Sequence, residues 1–208
     1  MQLKRLSMLL SLCLWATLTG CGAKIPPTHY YTFAPHAESM AQQPAAASVP
    51  AMLGLAAFDA NAPYQQDKIV FRTSPYEVNF YEYHKWLRPP TDLVTETVRQ
   101  QVAASRLFRA VQDDDARTDY LLRGRILMFD QWYIEQRSSE IRIEIRYQLQ
   151  EAEDERTIWT ETIATKATTP SLDILGTIQA FETALQQNIR QAITGMEHAL
   201  AHTDGAGD

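Results

Sequence analysis

From Glu140 to Gln150 the chain alternates without a break. Ile141, Ile143, Ile145, Tyr147 and Leu149 point one way, and Glu140, Arg142, Glu144, Arg146, Gln148 and Gln150 the other. A period of two over that length predicts an antiparallel strand with one buried and one wet face. Tyr120 to Trp132 and Thr157 to Lys166 read as two further long strands, the second joined to 140–150 by a hairpin turn over Ala152 to Arg156. Beyond them the period changes. Ile174, Ile178, Phe181, Leu185, Ile189 and Ile193 recur at three or four, which predicts a long amphipathic helix from Leu172 to about Leu200, capped by Ser171. An earlier helix follows Pro89-Pro90. Thr91 or Asp92 is its expected cap, Ser105 its end, and Val94, Val98 and Val102 its apolar stripe.

The first half of the chain is less regular. His29 to Phe33 and Met52 to Phe58 read as short strands, the second buried. Ile69 to Arg72 and Glu77 to His84 pair around a Ser74-Pro75 turn. Ala34 to Pro50 has no period and is rich in Ala, Gln and Pro, so it reads as a long surface loop. Asn61 to Asp67 is a turn or loop, and Leu107, Phe108 and Val111 lead into an acidic turn at Asp113 to Asp115. The order of strands, helix, strands, helix predicts an α+β domain: a largely antiparallel sheet with two main helices packed on one face. It spans residues 29–200, with a polar tail at 201–208 expected to be disordered.

The N-terminus alters this picture. Lys4 and Arg5 precede an apolar stretch from Leu6 to Leu18, shorter than the roughly 20 residues a membrane span needs. It closes on Leu18-Thr19-Gly20-Cys21. A basic start, a short apolar core and small residues before a cysteine resemble the lipobox of bacterial lipoproteins. The resemblance implies cleavage of residues 1–20 and lipid on Cys21, with 21–28 as a short tether. Each buried methylene contributes about 0.8 kcal/mol, so several acyl chains on one residue hold where one would not. Gly22, rather than aspartate, follows the cysteine; in a Gram-negative cell that resemblance implies the outer membrane, with the domain facing the periplasm.

Charge and cysteine usage narrow the classes further. The 208 residues carry a formal net charge of -6, and loss of Lys4 and Arg5 makes the domain more acidic. An acidic body without a basic cluster excludes nucleic acid as the natural partner. The 2 cysteines are Cys13, which leaves with the signal, and Cys21, so no disulfide or Cys/His metal spacing is available. No cofactor is expected apart from the covalent lipid.

Chemistry-bearing side chains concentrate in IVFRTSPYEVNFYEYHKW, residues 69–86. Alternation puts Val78, Phe80, Glu82 and His84 on one side of its second strand, and Glu77, Asn79, Tyr81 and Tyr83 on the other. Val78 and Phe80 are then expected in the core. Tyr81 and Tyr83 stand on the outer face beside Arg72, the residue types that anchor protein interfaces. Arg72, Tyr81 and Tyr83 are accordingly the candidate partner-binding residues, and Trp86 the plug beneath the first helix. Glu82, His84 and Asp92 are the nearest approach to an acid–base set, but no G-x-S-x-G or H-E-x-x-H accompanies them. No catalytic residue is assigned, and the chain is not read as an enzyme.

The lipobox, Tyr30-Tyr31-Thr32-Phe33, Ile69-Val70-Phe71-Arg72-Thr73-Ser74 and Tyr81-Glu82-Tyr83-His84-Lys85-Trp86 together resemble the ABC-type transport auxiliary lipoprotein family, the PqiC-like outer-membrane lipoproteins. Phe33 stands where leucine is commoner, and the Ala/Pro stretch before Met52 is an insertion. The resemblance implies an auxiliary lipoprotein of an MCE-type or ABC lipid or organic-solute transport system. Such a protein docks an MCE-domain protein at the outer membrane, alone or as a homo-oligomer. Read without the resemblance, a lipidated α+β domain also fits a regulator of peptidoglycan synthesis or an outer-membrane assembly factor.

Overall fold

The structure, a computed structural model, describes residues 25–34, 48–114, 117–135, 138–171 and 173–204. The expected signal, Cys21 and the end of the tail lie outside these residues, as does most of the expected Ala34–Pro50 loop. Nine strands form one curled mixed sheet: β1 (His29–Tyr31), β2 (Val49–Leu55), β3 (Asp59–Ala60), β4 (Lys68–Arg72), β5 (Asn79–Trp86), β6 (Phe108–Asp113), β7 (Tyr120–Glu135), β8 (Ser138–Glu151) and β9 (Thr157–Thr168). Two helices complete it, α1 (Pro90–Ser105) and α2 (Ile174–Asp204).

The α+β class stands, but the sheet is only partly antiparallel. β7, β8 and β9 form the antiparallel meander that the alternation predicts, with Ile126 opposite Ile145 and Ile145 opposite Ile163. The other edge of β7 is occupied in succession by β2, β3 and β4, all parallel to it. Leu53–Leu55 lie beside Tyr120–Leu122, Asp59–Ala60 beside Arg125–Ile126, and Val70–Arg72 beside Asp130–Trp132. The chain climbs one edge of a 16-residue strand in three steps and never reverses, so every step is parallel. Outside this ladder, β6 runs parallel to β2 and β1 parallel to β5, while β5 is antiparallel to β4.

Both helices share a single core with the sheet. Ile178, Phe181, Leu185 and Ile189 of α2 are buried against Ile141, Ile143, Ile145, Tyr147 and Leu149 of β8, as the two periods require. Ala184, Ala192, Met196 and Leu200 extend the α2 stripe, and Val94, Val98 and Val102 form that of α1. Full burial of each large aliphatic side chain is worth about 1.5–3 kcal/mol. A polar set lies inside this core: the Tyr147 hydroxyl donates to Asn188 Oδ1 at 2.8 Å, and Asn188 Nδ2 donates to the Ile163 carbonyl at 2.8 Å.

The helix starts differ from expectation. Neither Thr91 nor Asp92 caps α1; the cap position is Pro89, whose side chain makes no capping bond, and Pro90 opens the helix with its fixed φ. Asp92 sits in the first turn, where its charge suits the helix dipole. At α2 the capping group is Asp173 rather than Ser171, its carboxylate accepting the Gly176 N–H at 2.7 Å.

Candidate functional site

The strip at 69–86 forms the β4–β5 hairpin, and β7 passes along the other side of β4. Within the hairpin Val70 pairs with Phe80, but Lys68 pairs with Lys85. β5 therefore holds extra residues between Phe80 and Lys85, an irregularity that changes which residues share a face. Tyr81 and His84, three apart in sequence, consequently touch, their ring centroids 5.9 Å apart.

Alternation holds from Asn79 to Tyr83, but the face turned inward is the opposite of the expected one. Phe80 and Val78 are not in the core; Phe80 is 38 % exposed under the Lys68 ammonium, and Val78 precedes the strand. Tyr81 turns inward instead, against the Phe71 ring at 4.9 Å. Its hydroxyl donates to Gln131 Oε1 at 2.7 Å and meets the Tyr133 hydroxyl at 2.8 Å. Gln131 Nε2 in turn donates to Ser139 Oγ, and Ser139 Oγ meets Thr169 Oγ1, so one line of polar groups crosses from β5 over β7 and β8 to the end of β9. A tyrosine can bury its ring here because its polar tip is satisfied. Burial, and then the bond to Tyr133, push the Tyr81 pKa well above the usual phenol range.

Arg72 is likewise tied into the domain. Its guanidinium pairs with Asp130, which is 0 % exposed, and its edge lies over Trp132. Tyr64, buried on the turn before β4, lies beside the same carboxylate. Burial first, and then the Asp130 charge, raise the Tyr64 pKa. For Arg72 burial works against the charge, yet the bond to Asp130 and the neighbouring Tyr64 hydroxyl outweigh it and the pKa is raised. Asp130 gives no signal of its own in the sequence: it is one polar residue among several in β7, and its role appears only when Arg72 comes beside it.

The third candidate, Tyr83, is half-buried and has its hydroxyl against Glu82. Of the three proposed contacts, Tyr83 lies outside both the Arg72–Asp130 pair and the polar line through Tyr81. His84 Nδ1 bonds the Tyr31 hydroxyl at 2.8 Å, and the ring stacks on His29 from β1 at 5.7 Å. Trp86 is buried in the shared core, and its ring neighbours are Phe181 of α2 at 5.2 Å, Phe33 at 5.5 Å and Phe129 at 5.8 Å.

Among the described residues, no group of three or more His, Cys, Asp and Glu is placed to hold a metal ion, and no helix is long and apolar enough to cross a membrane. A cleft of about 300 Å³ opens between the segment after β1 and α1, lined by Phe33, Leu87, Arg88, Asp92, Glu96 and Gln100 among others. These residues are a mixture of apolar and charged groups without a paired acid and base.

A search of curated proteins returns no match. Among solved structures, the chain is similar to protein XCC0632 from Xanthomonas campestris, at 25% identity and a TM-score of 0.69, over 78% of this chain and 93% of that one. An uncharacterized protein gives a TM-score of 0.66 at 10% identity, over 82% and 99% of the two chains. The hypothetical protein CT253 from Chlamydia trachomatis gives 0.51 at 7% identity, over 72% and 96%. These last two show the shared fold alone. The sequence profile of the ABC-type transport auxiliary lipoprotein component matches residues 31–192, most of the chain and nearly the whole folded domain. The chain is therefore a member of the ABC-type transport auxiliary lipoprotein family.

Proposed function

We propose that this protein is held in the outer membrane by lipid on Cys21, faces the periplasm, and docks an MCE-domain protein of a lipid or organic-solute transport system. The observation that carries this reading is the family match over residues 31–192, a family of transport auxiliary components and not of enzymes. The lipobox ending at Cys21, followed by Gly22, supplies the membrane. The mechanism is tethering and alignment: a domain on a short leash presents a fixed surface to an envelope-spanning partner. Arg72 and Tyr81 hold the β4–β5 hairpin in shape through Asp130 and Gln131, and Tyr83 is the contact.

The test is capture from the lipidated, full-length chain. A photo-crosslinking residue in place of Tyr83 should trap an MCE-domain protein, and the same protein should co-purify without crosslinking. Capture of a peptidoglycan synthase or an outer-membrane barrel in its place would reassign the chain to envelope assembly. Normal transport in a strain lacking the chain would also defeat the proposal.

A further inference from the structure

Topology brings several distant segments to one end of the domain. β4 and β7 run parallel, so the β4–β5 turn and the β7–β8 turn leave the sheet at the same end. β9 finishes there, with Thr168 opposite Glu140, and α2 starts a few residues later. The β8–β9 turn, carrying Glu153 and Asp154, lies at the opposite end.

The large apolar side chains that remain exposed follow this geometry. Tyr76, 96 % exposed, and Val78 occupy the β4–β5 turn, with Phe80 just inside it. Ile134 stands at the end of β7, and Leu175 in the first turn of α2. Tyr30 and Leu87 are the two such residues placed elsewhere among the described residues.

The tether points to the same end. β1 is parallel to β5, with His29 opposite His84, so the chain upstream of His29 runs back along β5 toward Phe80 and the turn. Pro26 and Pro27 favour an extended backbone both for themselves and for Ile25, which opposes a reversal of direction. Ile25 is itself exposed, and Cys21 lies four residues further on, within about 14 Å of it even at full extension.

From this convergence we infer that the end bearing Tyr76, Val78, Phe80, Ile134 and Leu175 faces the bilayer, and that these side chains lie in its headgroup zone. The inference rests on the reading that Cys21 is acylated. A bilayer is the occupant that fits, because the apolar groups come from separate loops, a strand start and one helix start at one end of the sheet beside the anchor. A plane of lipid accepts such tips without a shaped groove, and tyrosine suits a zone that is apolar on one side and wet on the other. The acyl chains and the apolar tips together would fix the tilt of the domain on the membrane, where the acyl chains alone leave it free to swing.

The test uses the lipidated chain in vesicles of phosphatidylethanolamine and phosphatidylglycerol. Acylated Cys21 offers no free thiol, so Tyr76→Cys, Ile134→Cys and Asp154→Cys each take a single polarity-sensitive label. Labels at 76 and 134 should shift to the blue and be quenched about two-fold by nitroxides placed high on the lipid acyl chains, while the label at 154 stays wet and unquenched. If the chain floats with the vesicles and labels at 76 and 134 are as wet as that at 154, the inference is wrong and the anchor stands. If the chain does not float, the anchor reading fails and takes this one with it. Labels that dry only when an MCE-domain protein is added would assign the surface to that protein and overturn the membrane-facing placement.

Discussion

The hydroxyl of Tyr147, on β8, donates to Asn188 Oδ1, on α2, at 2.8 Å in the middle of the core. Asn188 passes the bond on to the carbonyl of Ile163 at 2.8 Å, and Thr165 Oγ1 donates to the Ala184 carbonyl at 2.9 Å. A satisfied polar set between a smooth helix and a smooth sheet fixes the position of one along the other, where apolar packing alone tolerates sliding. Asn188→Ala would leave the Tyr147 hydroxyl and the Ile163 carbonyl unpaired, so it should cost about 2–4 kcal/mol in urea unfolding. Tyr147→Phe, which strands one acceptor, should cost about 1–2 kcal/mol.

Arg72→Met should destabilise the domain strongly because it strands the Asp130 carboxylate in the interior. Breaking one side of a buried pair costs about 3–5 kcal/mol, whereas replacing both sides by apolar groups is often neutral. Arg72→Met combined with Asp130→Leu should therefore recover most of the loss, with the midpoint of urea unfolding as the measurement. Recovery in the double variant would separate a scaffolding role for Arg72 from direct contact with a partner. A partner-contact role alone predicts a stable single variant that fails to capture.

Asp173 gives the acid side of the stability profile a definite sign. The Gly176 N–H and then the Ser171 hydroxyl hold its carboxyl pKa below the ordinary value. A depressed folded pKa means that the contribution is complete above the unfolded pKa and disappears as pH falls through the folded value. The first turn of α2 should accordingly fray below about pH 4, read as faster amide exchange at Leu175 to Thr177. Asp173→Asn, which keeps a capping oxygen without the charge, should flatten that pH dependence.

Gly124 should resist any side chain. A Cβ there would overlap the Phe58 ring, which lies across the strand and meets Tyr147 edge-on at 5.8 Å. Gly124→Ala should cost about 1–3 kcal/mol in thermal or urea unfolding, the range for overfilling a packed core. Adding Phe58→Leu should relieve part of that cost, and equal loss with and without it would show that the ring is not the obstacle.

The elements with a strong period were legible in the chain. The β8 alternation up to Leu149 and the α2 stripe emerge with their faces as expected because each is long enough for its own repeat to decide which side is buried, while Gln150, expected on the wet face, is buried at the strand end. The helix caps were harder to see. Ser171, Asp173 and Thr91 are all chemically able to cap, and only the backbone path selects among them. The candidate surface was legible as a region, residues 69–86, but not as faces. Alternation separates Tyr81 from Phe80 as expected, but which of the two faces turns inward depends on what β4 and β7 bring beside the strand, and no local pattern records that.

What the sequence determined by itself is therefore the local: the long strands, the helix stripes and the family signature. Tertiary structure alone decided that β2, β3 and β4 share one edge of β7 in parallel, that Arg72 meets Asp130, and that Tyr76, Ile134 and Leu175 gather at the end from which the tether leaves. The reason is physical. A period of two or 3.6 fixes which face of an element is apolar, but pairing joins residues tens of positions apart, and its direction follows from how the chain returns through space rather than from any segment's own preference.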